Sequence, residues 1–309
     1  MSTLLFEHDA FGAHETPPGH PERAERYEAV RTALADERFG PLLRRTAPRA
    51  DMAVIERVHT RDYIDAIEGA APSEGMVRLD PDTVMGKHSL DAALRAAGAG
   101  VAAVDAIYAG EARNAFVAAR PPGHHAPADR AMGFCLFNAA AATAMHARAA
   151  HGAARVAVVD FDVHHGNGTE AMFWHDENAF YASSHEWPQY PGTGRASDRG
   201  AFDNIANSPL STGSDGEVFR RAWGETLLPA LAAFAPDFLV ISAGFDAHRA
   251  DPLGGLALDE ADFDWVTREL LAMARATCGG RVVSLLEGGY DLGALARSAG
   301  AHVAALMDG

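Results

Sequence analysis

The stretch Arg155-Val-Ala-Val-Val-Asp160-Phe-Asp162-Val-His164-His165-Gly-Asn167-Gly168 decides the fold. Its opening run, Arg155–Val159, is short, β-branched and continuously apolar rather than alternating. Such a run marks a strand buried on both faces, and strands of that kind belong to a mainly parallel sheet with helices on each side. The run ends abruptly in carboxylates, imidazoles and glycines, which mark a loop. Similar runs read as strands at Thr3–Glu7, Asn114–Ala118, Ala179–Ser183, Phe238–Ser242 and Arg281–Leu286. Alanine- and leucine-rich stretches with helical spacing lie between them, at Pro21–Asp36, Leu90–Gly110, Asn138–Ala150, Gly216–Ala235, Asp259–Ala276 and Leu292–Met307. This alternation predicts an α/β fold.

Each later strand is followed by a polar, glycine-bearing segment. These are Arg120-Pro-Pro-Gly-His-His125, the Asp160–Gly168 block, Ser184-His-Glu-Trp187, Ala243-Gly-Phe-Asp-Ala-His248 and Glu287-Gly-Gly-Tyr-Asp291. In open parallel α/β sheets the ligand site lies outside the carboxyl ends of the strands. The segments are therefore expected to converge on one crevice. Asp162 and His164, two apart at a strand end, face one side of an extended chain. Asp246 can add a third ligand, and one His with two Asp suits Zn²⁺ or Fe²⁺ with a position left open. Of the tandem pair His124-His125, one can serve as a general base and the other as an electrostatic partner. Asp160 and Asn167 are candidate acceptors for their far nitrogens. Tyr290, after two glycines, can donate to a developing oxyanion, or can simply be a packed aromatic at a helix start. Gly133, Phe134 and the nearby Cys135 can wall a narrow channel. His175, His185 and His248 read as solvent-facing or capping residues.

Composition narrows the functional classes. Of 309 residues, 48% are hydrophobic and 22% charged, enough for a large core, and the chain reads as one domain over 1–309. With 26 basic against 42 acidic residues the formal charge is −16, which argues against a nucleic-acid or anionic-membrane partner and suits a cationic one. Lys87 is the single lysine, and its surroundings are not apolar enough for Schiff-base chemistry. Two cysteines, Cys135 and Cys278, exclude a disulfide framework or a sulfur-ligated zinc. The start carries no signal-peptide pattern and no apolar stretch is long enough to span a membrane, so the cytoplasm is the expected compartment. Histidine, at 15, is unusually frequent, and it is the commonest metal ligand.

Taken together, these blocks resemble the histone deacetylase family of zinc deacetylases, which includes bacterial acetylpolyamine amidohydrolases. The matching stretches are His20-Pro-Glu-Arg23, Arg120–His125, Gly133-Phe-Cys135 with Asn138, Asp160–Thr169, Tyr190-Pro-Gly-Thr-Gly194, Ser242–Asp246, Asp251-Pro-Leu-Gly-Gly255 and Glu287–Tyr290. They cover nearly the whole chain, and Asn167 with Glu287-Gly-Gly-Tyr290 is similar to the class II branch.

The resemblance implies an arginase-like α/β fold and one Zn²⁺ per chain held by Asp162, His164 and Asp246. It implies His125 as general base and then acid, His124 paired with Asp160 as the second histidine, and Tyr290 as the group that polarises the acyl carbonyl. It places Gly133 and Phe134 on one wall of an acyl-lysine tunnel and His185 on the opposite wall. It sets Asp82 at the rim and Leu253 at a gatekeeper position. It makes Arg23 a buried arginine of an internal channel. It also implies a structural K⁺ near Asp160, Asp162, His164, Ser183 and Ser184, partly through backbone oxygens. A second potassium site of the family involves Phe173, and its other positions match poorly here.

The implied substrate is an acylated lysine or a related amine, with an acetylpolyamine as the alternative. Leu253 is neutral where polyamine-selective members can be acidic, and no long insertion narrows the mouth. A binuclear ureohydrolase on the same fold needs a second Asp-x-Asp pair, and Gly244-Phe245-Asp246 offers one carboxylate. A weakly active acyl-lysine binding protein is expected to lack the tyrosine or a ligand, and all are present. The oligomeric state is left open, a homo-oligomer included.

Overall fold

The computed structural model describes residues 2–309. In chain order the elements are β1 (Thr3–Glu7), α1 (Asp9–Ala13), α2 (Ala24–Ala33), β2 (Leu43–Thr46), α3 (Met52–Ile55), α4 (Arg61–Ala70), β3 (Met76–Arg78), β4 (Val84–Gly86), α5 (Ser89–Tyr108), β5 (Asn114–Val117) and α6 (Ala139–His151). There follow β6 (Val156–Asp160), α7 (Asn167–Phe173), β7 (Ala179–Trp187), β8 (Ile205–Ser211), α8 (Gly216–Ala222), α9 (Leu228–Phe234), β9 (Phe238–Ala243), α10 (Glu260–Cys278), β10 (Val282–Leu286) and α11 (Leu292–Asp308). Eight strands form one parallel sheet in the order β2-β1-β5-β10-β9-β6-β7-β8, and β3 and β4 make a separate antiparallel pair.

The four central strands, β5, β10, β9 and β6, are buried along their whole length. They are adjacent although far apart in sequence, and their ends are level: Asp160 pairs with Ser242, and Leu286 with Ala243. The segments after them therefore rise side by side from one edge. This register is what gathers the site.

The six strands expected from apolar runs are present, and the two sheet edges add strands that no such run announces. At one edge, β2 is Leu-Arg-Arg-Thr and largely exposed. At the other, β8 carries Pro209. Charge and proline are how edge strands resist further pairing, and they erase the apolar signature. β7 continues to Trp187, four residues past its expected end. The helix expected over Gly216–Ala235 is divided by a π-turn at Trp223–Leu227. Pro229 has no N–H to donate to the preceding turn, so the ladder widens just before it.

Helix α5 is alanine-rich and packs its small face closely. A Cβ at Gly98 would lie 2.2 Å from the Pro48 carbonyl and 2.6 Å from the Ala50 amide nitrogen. Exposed Gly69, in α4, has nothing within 4 Å of such an atom. Gly98→Ala is thus expected to destabilise by about 1–3 kcal/mol through overpacking. Gly69→Ala is expected to stabilise by up to about 1 kcal/mol through helix propensity. Thermal unfolding of both variants checks this, and a rise in Tm for Gly98→Ala would show that the close approach does not constrain α5.

Candidate active site

Asp162, His164 and Asp246 bring one ligand atom each within 4.8 Å of one another. The Nδ1 of His164 lies 3.2 Å from Oδ1 of Asp162 and 3.1 Å from Oδ2 of Asp246. The backbone holds these carboxylates in place. Val163 N–H donates to Asp246 Oδ1 (2.8 Å), His164 N–H to Asp162 Oδ1 (2.9 Å) and Gly288 N–H to Asp162 Oδ2 (2.8 Å). Segment 161–166 lies beyond the end of β6, so it is a folded loop and not the extended chain that the two-residue spacing suggested.

The electrostatics of this trio call for a cation. Burial and the Asp162 charge push the Asp246 carboxyl up to about 7. His164 is driven up to about 10, because its two carboxylates outweigh the burial that opposes its charge. Two carboxylate oxygens and an imidazole nitrogen match the donor set of a borderline divalent metal.

The tandem histidines sit in a turn after β5, with ring centroids 4.0 Å apart. His124 Nδ1 is 2.9 Å from Asp160 Oδ2, and His125 Nδ1 is 2.9 Å from Asn167 Oδ1. Both orienting partners are the expected ones. Their charges then diverge. His124 is held well above the ordinary range: burial opposes its charge, but Asp160, Asp162 and Glu287 overcome it. His125 is held well below it by burial first, then by the charges of His124 and His164.

Tyr290 is buried, and burial raises its phenol well above 10 although Arg26 opposes the rise. Asp251 Oδ2 accepts from the Tyr290 and Asp291 amides at 2.6 and 3.2 Å, fixing the turn that carries the phenol. Glu287, pushed up to about 7 chiefly by burial, accepts from the Gly123 and His124 amides and from Ser242 Oγ. It ties together the segments after β5, β9 and β10.

A cavity of about 220 Å³ opens onto this centre, lined by Asp82, His125, Gly133, Phe134, His164, Gln189, Tyr190, Leu253 and Tyr290. A larger groove of about 390 Å³ lies at the opposite, amino ends of the strands and contains none of these groups. Gly133 and Phe134 both have positive φ, 58° and 66°. Phe134 is strained there, and the pair is held by hydrogen bonds from Gly133 N–H to Asp82 Oδ1 (3.0 Å) and from Phe134 N–H to Thr83 Oγ1 (3.1 Å). Asp82 thus lies at the rim as expected, with one oxygen committed to the wall. Cys135 is buried behind that wall, its Sγ directed at the Gly133 carbonyl.

Two residues are not where the motifs placed them. Arg23 is exposed. The buried arginine is Arg26, one turn on, whose guanidinium lies 4.8 Å from the Tyr290 ring centroid and donates to the Glu287 and Gly289 carbonyls. His185 is fully buried within β7, between Ser183 Oγ (2.9 Å) and the Gly194 carbonyl (2.8 Å). Tyr190 lines the cavity with Phe134, and its ring stands edge-on to His125 at 5.1 Å. Tyr190 was visible in Tyr190-Pro-Gly-Thr-Gly194, but nothing in the spacing assigned it a role. Ser183 and Ser184 lie inside β7, with Ser184 Oγ accepting from Trp223 Nε1. Phe173 is buried, His175 is exposed, and His248 is buried and accepts from the Ala250 amide.

The histone deacetylase domain profile matches residues 20–306. The chain belongs to the histone deacetylase family. Family membership makes it a hydrolytic deacetylase. It is 41% identical to the uncharacterized protein slr0245 of Synechocystis, covering 96% of this chain and 97% of that one. It is 37% identical to the histone deacetylase-like amidohydrolase of Pseudomonas aeruginosa, covering 91% and 76%. The crystal structure of the HDA15 HD domain superposes with a TM-score of 0.93 at 36% identity, covering 100% of this chain and 89% of that one. The arginase-like deacetylase fold expected from the motifs is the fold observed. No helix among the described residues is long and apolar enough to cross a membrane.

A Cβ at Gly288 would lie 2.0 Å from Asp246 Oδ2 and 2.6 Å from Asp162 Oδ2. Gly288→Ala in this deacetylase is therefore expected to displace both carboxylates and lower bound metal at least tenfold. Metal analysis after dialysis, beside a far-UV spectrum unchanged from the parent, tests this. Full metal occupancy in the variant would show that the two carboxylates are not the ligands.

Proposed function

We propose that the chain is a single zinc-dependent deacylase domain that removes acetyl or related acyl groups from acylated lysine. One observation carries the reading: His125, His164 and Tyr290 line the 220 Å³ cavity together, with Asp162 and Asp246 against His164 and with His124 against His125. The trio fits Zn²⁺ by donor chemistry and by its demand for positive charge. Zn²⁺ there would lower the pKa of a water and polarise the acyl carbonyl.

The chain's own groups supply the rest. His125 presents Nδ1 to the Asn167 amide oxygen, an acceptor, so its proton sits on Nδ1 and Nε2 is left as a base. It takes a proton from the attacking water and returns it to the departing amine. His124, its Nδ1 directed at Asp160, holds a positive charge beside the reacting carbonyl. Tyr290, kept as a phenol by burial, donates to that oxygen as its charge grows. Phe134, Tyr190 and Leu253 enclose an alkyl chain, and Asp82 stands where substrate amides would reach the rim. Asp160, Asp162, His164, Ser183 and Ser184 form the oxygen-rich set that would hold a structural K⁺.

Tyr290→Phe is expected to retain bound metal and KM while lowering kcat by about 10²–10³. Turnover equal to the parent would remove Tyr290 from the oxyanion role. Acetate release from an acetyl-lysine peptide is expected to exceed release from an acetylated diamine. Faster release from the diamine would make the enzyme a polyamine amidohydrolase despite neutral Leu253. Release from neither, with zinc bound, would overturn the acetyl-group assignment.

A further inference from the structure

A second group of metal-ligating side chains lies at the amino ends of the strands, away from the catalytic segments. Asp105 stands in the last turn of α5, and His146 and His151 lie on the last two turns of α6. The Nε2 atoms of His146 and His151 approach the same oxygen, Asp105 Oδ1, at 2.7 and 2.6 Å. We propose that Asp105, His146 and His151 form a peripheral site for a borderline divalent cation such as Zn²⁺.

Three features favour a cation over a pair of hydrogen bonds alone. The donor atoms come from two helices and converge on one point, and two imidazoles with one carboxylate are the donors that zinc prefers. Both helices end at this place, and their C-terminal carbonyls turn partial negative charge toward it. The rings are already fixed: His151 lies flat on Tyr108, with centroids 4.4 Å apart and planes 6° from parallel, while the His146 side chain is 10% exposed. Asp105, at 53% exposure, is free to withdraw and admit an ion, leaving water a coordination position.

Arg57 sets the strength of the site. Its Nη1 lies 2.8 Å from His146 Nδ1, and a guanidinium can only donate. Without metal, the His146 proton therefore sits on Nε2 and is given to Asp105. Metal binding at Nε2 displaces that proton and requires Nδ1 to carry one, facing a donor. Arg57 must then swing aside, which weakens binding. Gln at position 57 offers an amide oxygen to Nδ1–H, the acceptor that metal-bound histidines usually have.

The test is a Zn²⁺ titration of tag-free, chelator-stripped protein at pH 7.5, read by calorimetry and by metal analysis. The parent is expected to take two ions per chain. His151→Gln is expected to lose the weaker event and keep its rate of acetate release. Asp246→Asn is expected to lose the catalytic event and keep the peripheral one, so failure here is separable from failure of the catalytic assignment. Arg57→Gln is expected to tighten the peripheral event about tenfold. A single ion in the parent that Asp246→Asn abolishes, or two ions in a His151→Gln variant with an unchanged thermal melt, would overturn the proposal. An Arg57→Gln variant that binds no more tightly would overturn the role given to Arg57.

Discussion

Four carboxylates, Asp160, Asp162, Asp246 and Glu287, are buried together at the ends of three neighbouring strands. Their mutual repulsion is the constraint around which the upper half of the molecule is built. Burying one unpaired charge is costly, and burying four in one place is possible only if donors and cations meet each of them. The donors are backbone amides of the same segments: Asp162, Val163, His164, Gly288, Gly123 and His124. The segments must therefore close on one another to satisfy the carboxylates, and in closing they assemble the site.

The same constraint explains how two adjacent histidines acquire opposite characters. Carboxylates outweigh burial and hold His124 well above the ordinary imidazole range, while His125, with an amide partner, is held well below it, by burial first. His124 itself then depresses His125. Two identical side chains thus divide electrostatic and proton-transfer duties through the chemistry of what lies behind each ring. Glu22 plays a comparable part below the site. Buried between Arg26 and Arg120, it is held well below the usual carboxylate range, since its cationic partners outweigh burial. Arg120 begins the histidine turn, and Arg26 reaches the carbonyls of the tyrosine turn. One buried carboxylate thus connects, through two arginines, the turns that carry His125 and Tyr290.

The central strands were legible because burial on both faces leaves an unbroken apolar run. The segments that carry Asp162, His164, Asp246, His124, His125 and Tyr290 were legible because each follows such a run. What escaped has physical reasons as well. Strands β2 and β8 are edges, selected against the pattern that reveals a strand. Arg23 was taken for the buried arginine because it closes the His20-Pro-Glu-Arg motif, whereas helical geometry puts Arg26 on the Glu22 face. The spacing of four residues that pairs Glu22 with Arg26 was present in the sequence and is the signal that identifies it. His185 was misplaced because β7 runs on past Ser183, so the ring faces the sheet interior, and the wall is built from the next turn, at Tyr190.

Walls and floor of the cavity perform different work. Phe134, Tyr190 and Leu253 carry no formal charge, so the walls offer shape and apolar fit, while Asp82, whose Oδ1 accepts from Gly133 N–H, keeps a carboxylate charge among the lining residues. A methylene more or less in such a channel changes affinity by about 1–3 kcal/mol. On the proposed reading the floor, in contrast, combines a metal-holding trio, a charged histidine, a base and a phenol, which would act together on a group that offers both a carbonyl oxygen and a protonatable leaving nitrogen. On that reading, selection of the amide would reside at the floor, and selection of the chain that carries it in walls that include the strained backbone at Phe134. The hydrogen bonds from the Gly133 and Phe134 amides to Asp82 and buried Thr83 hold that strained wall, and through Asp82 they tie it to another residue that lines the cavity.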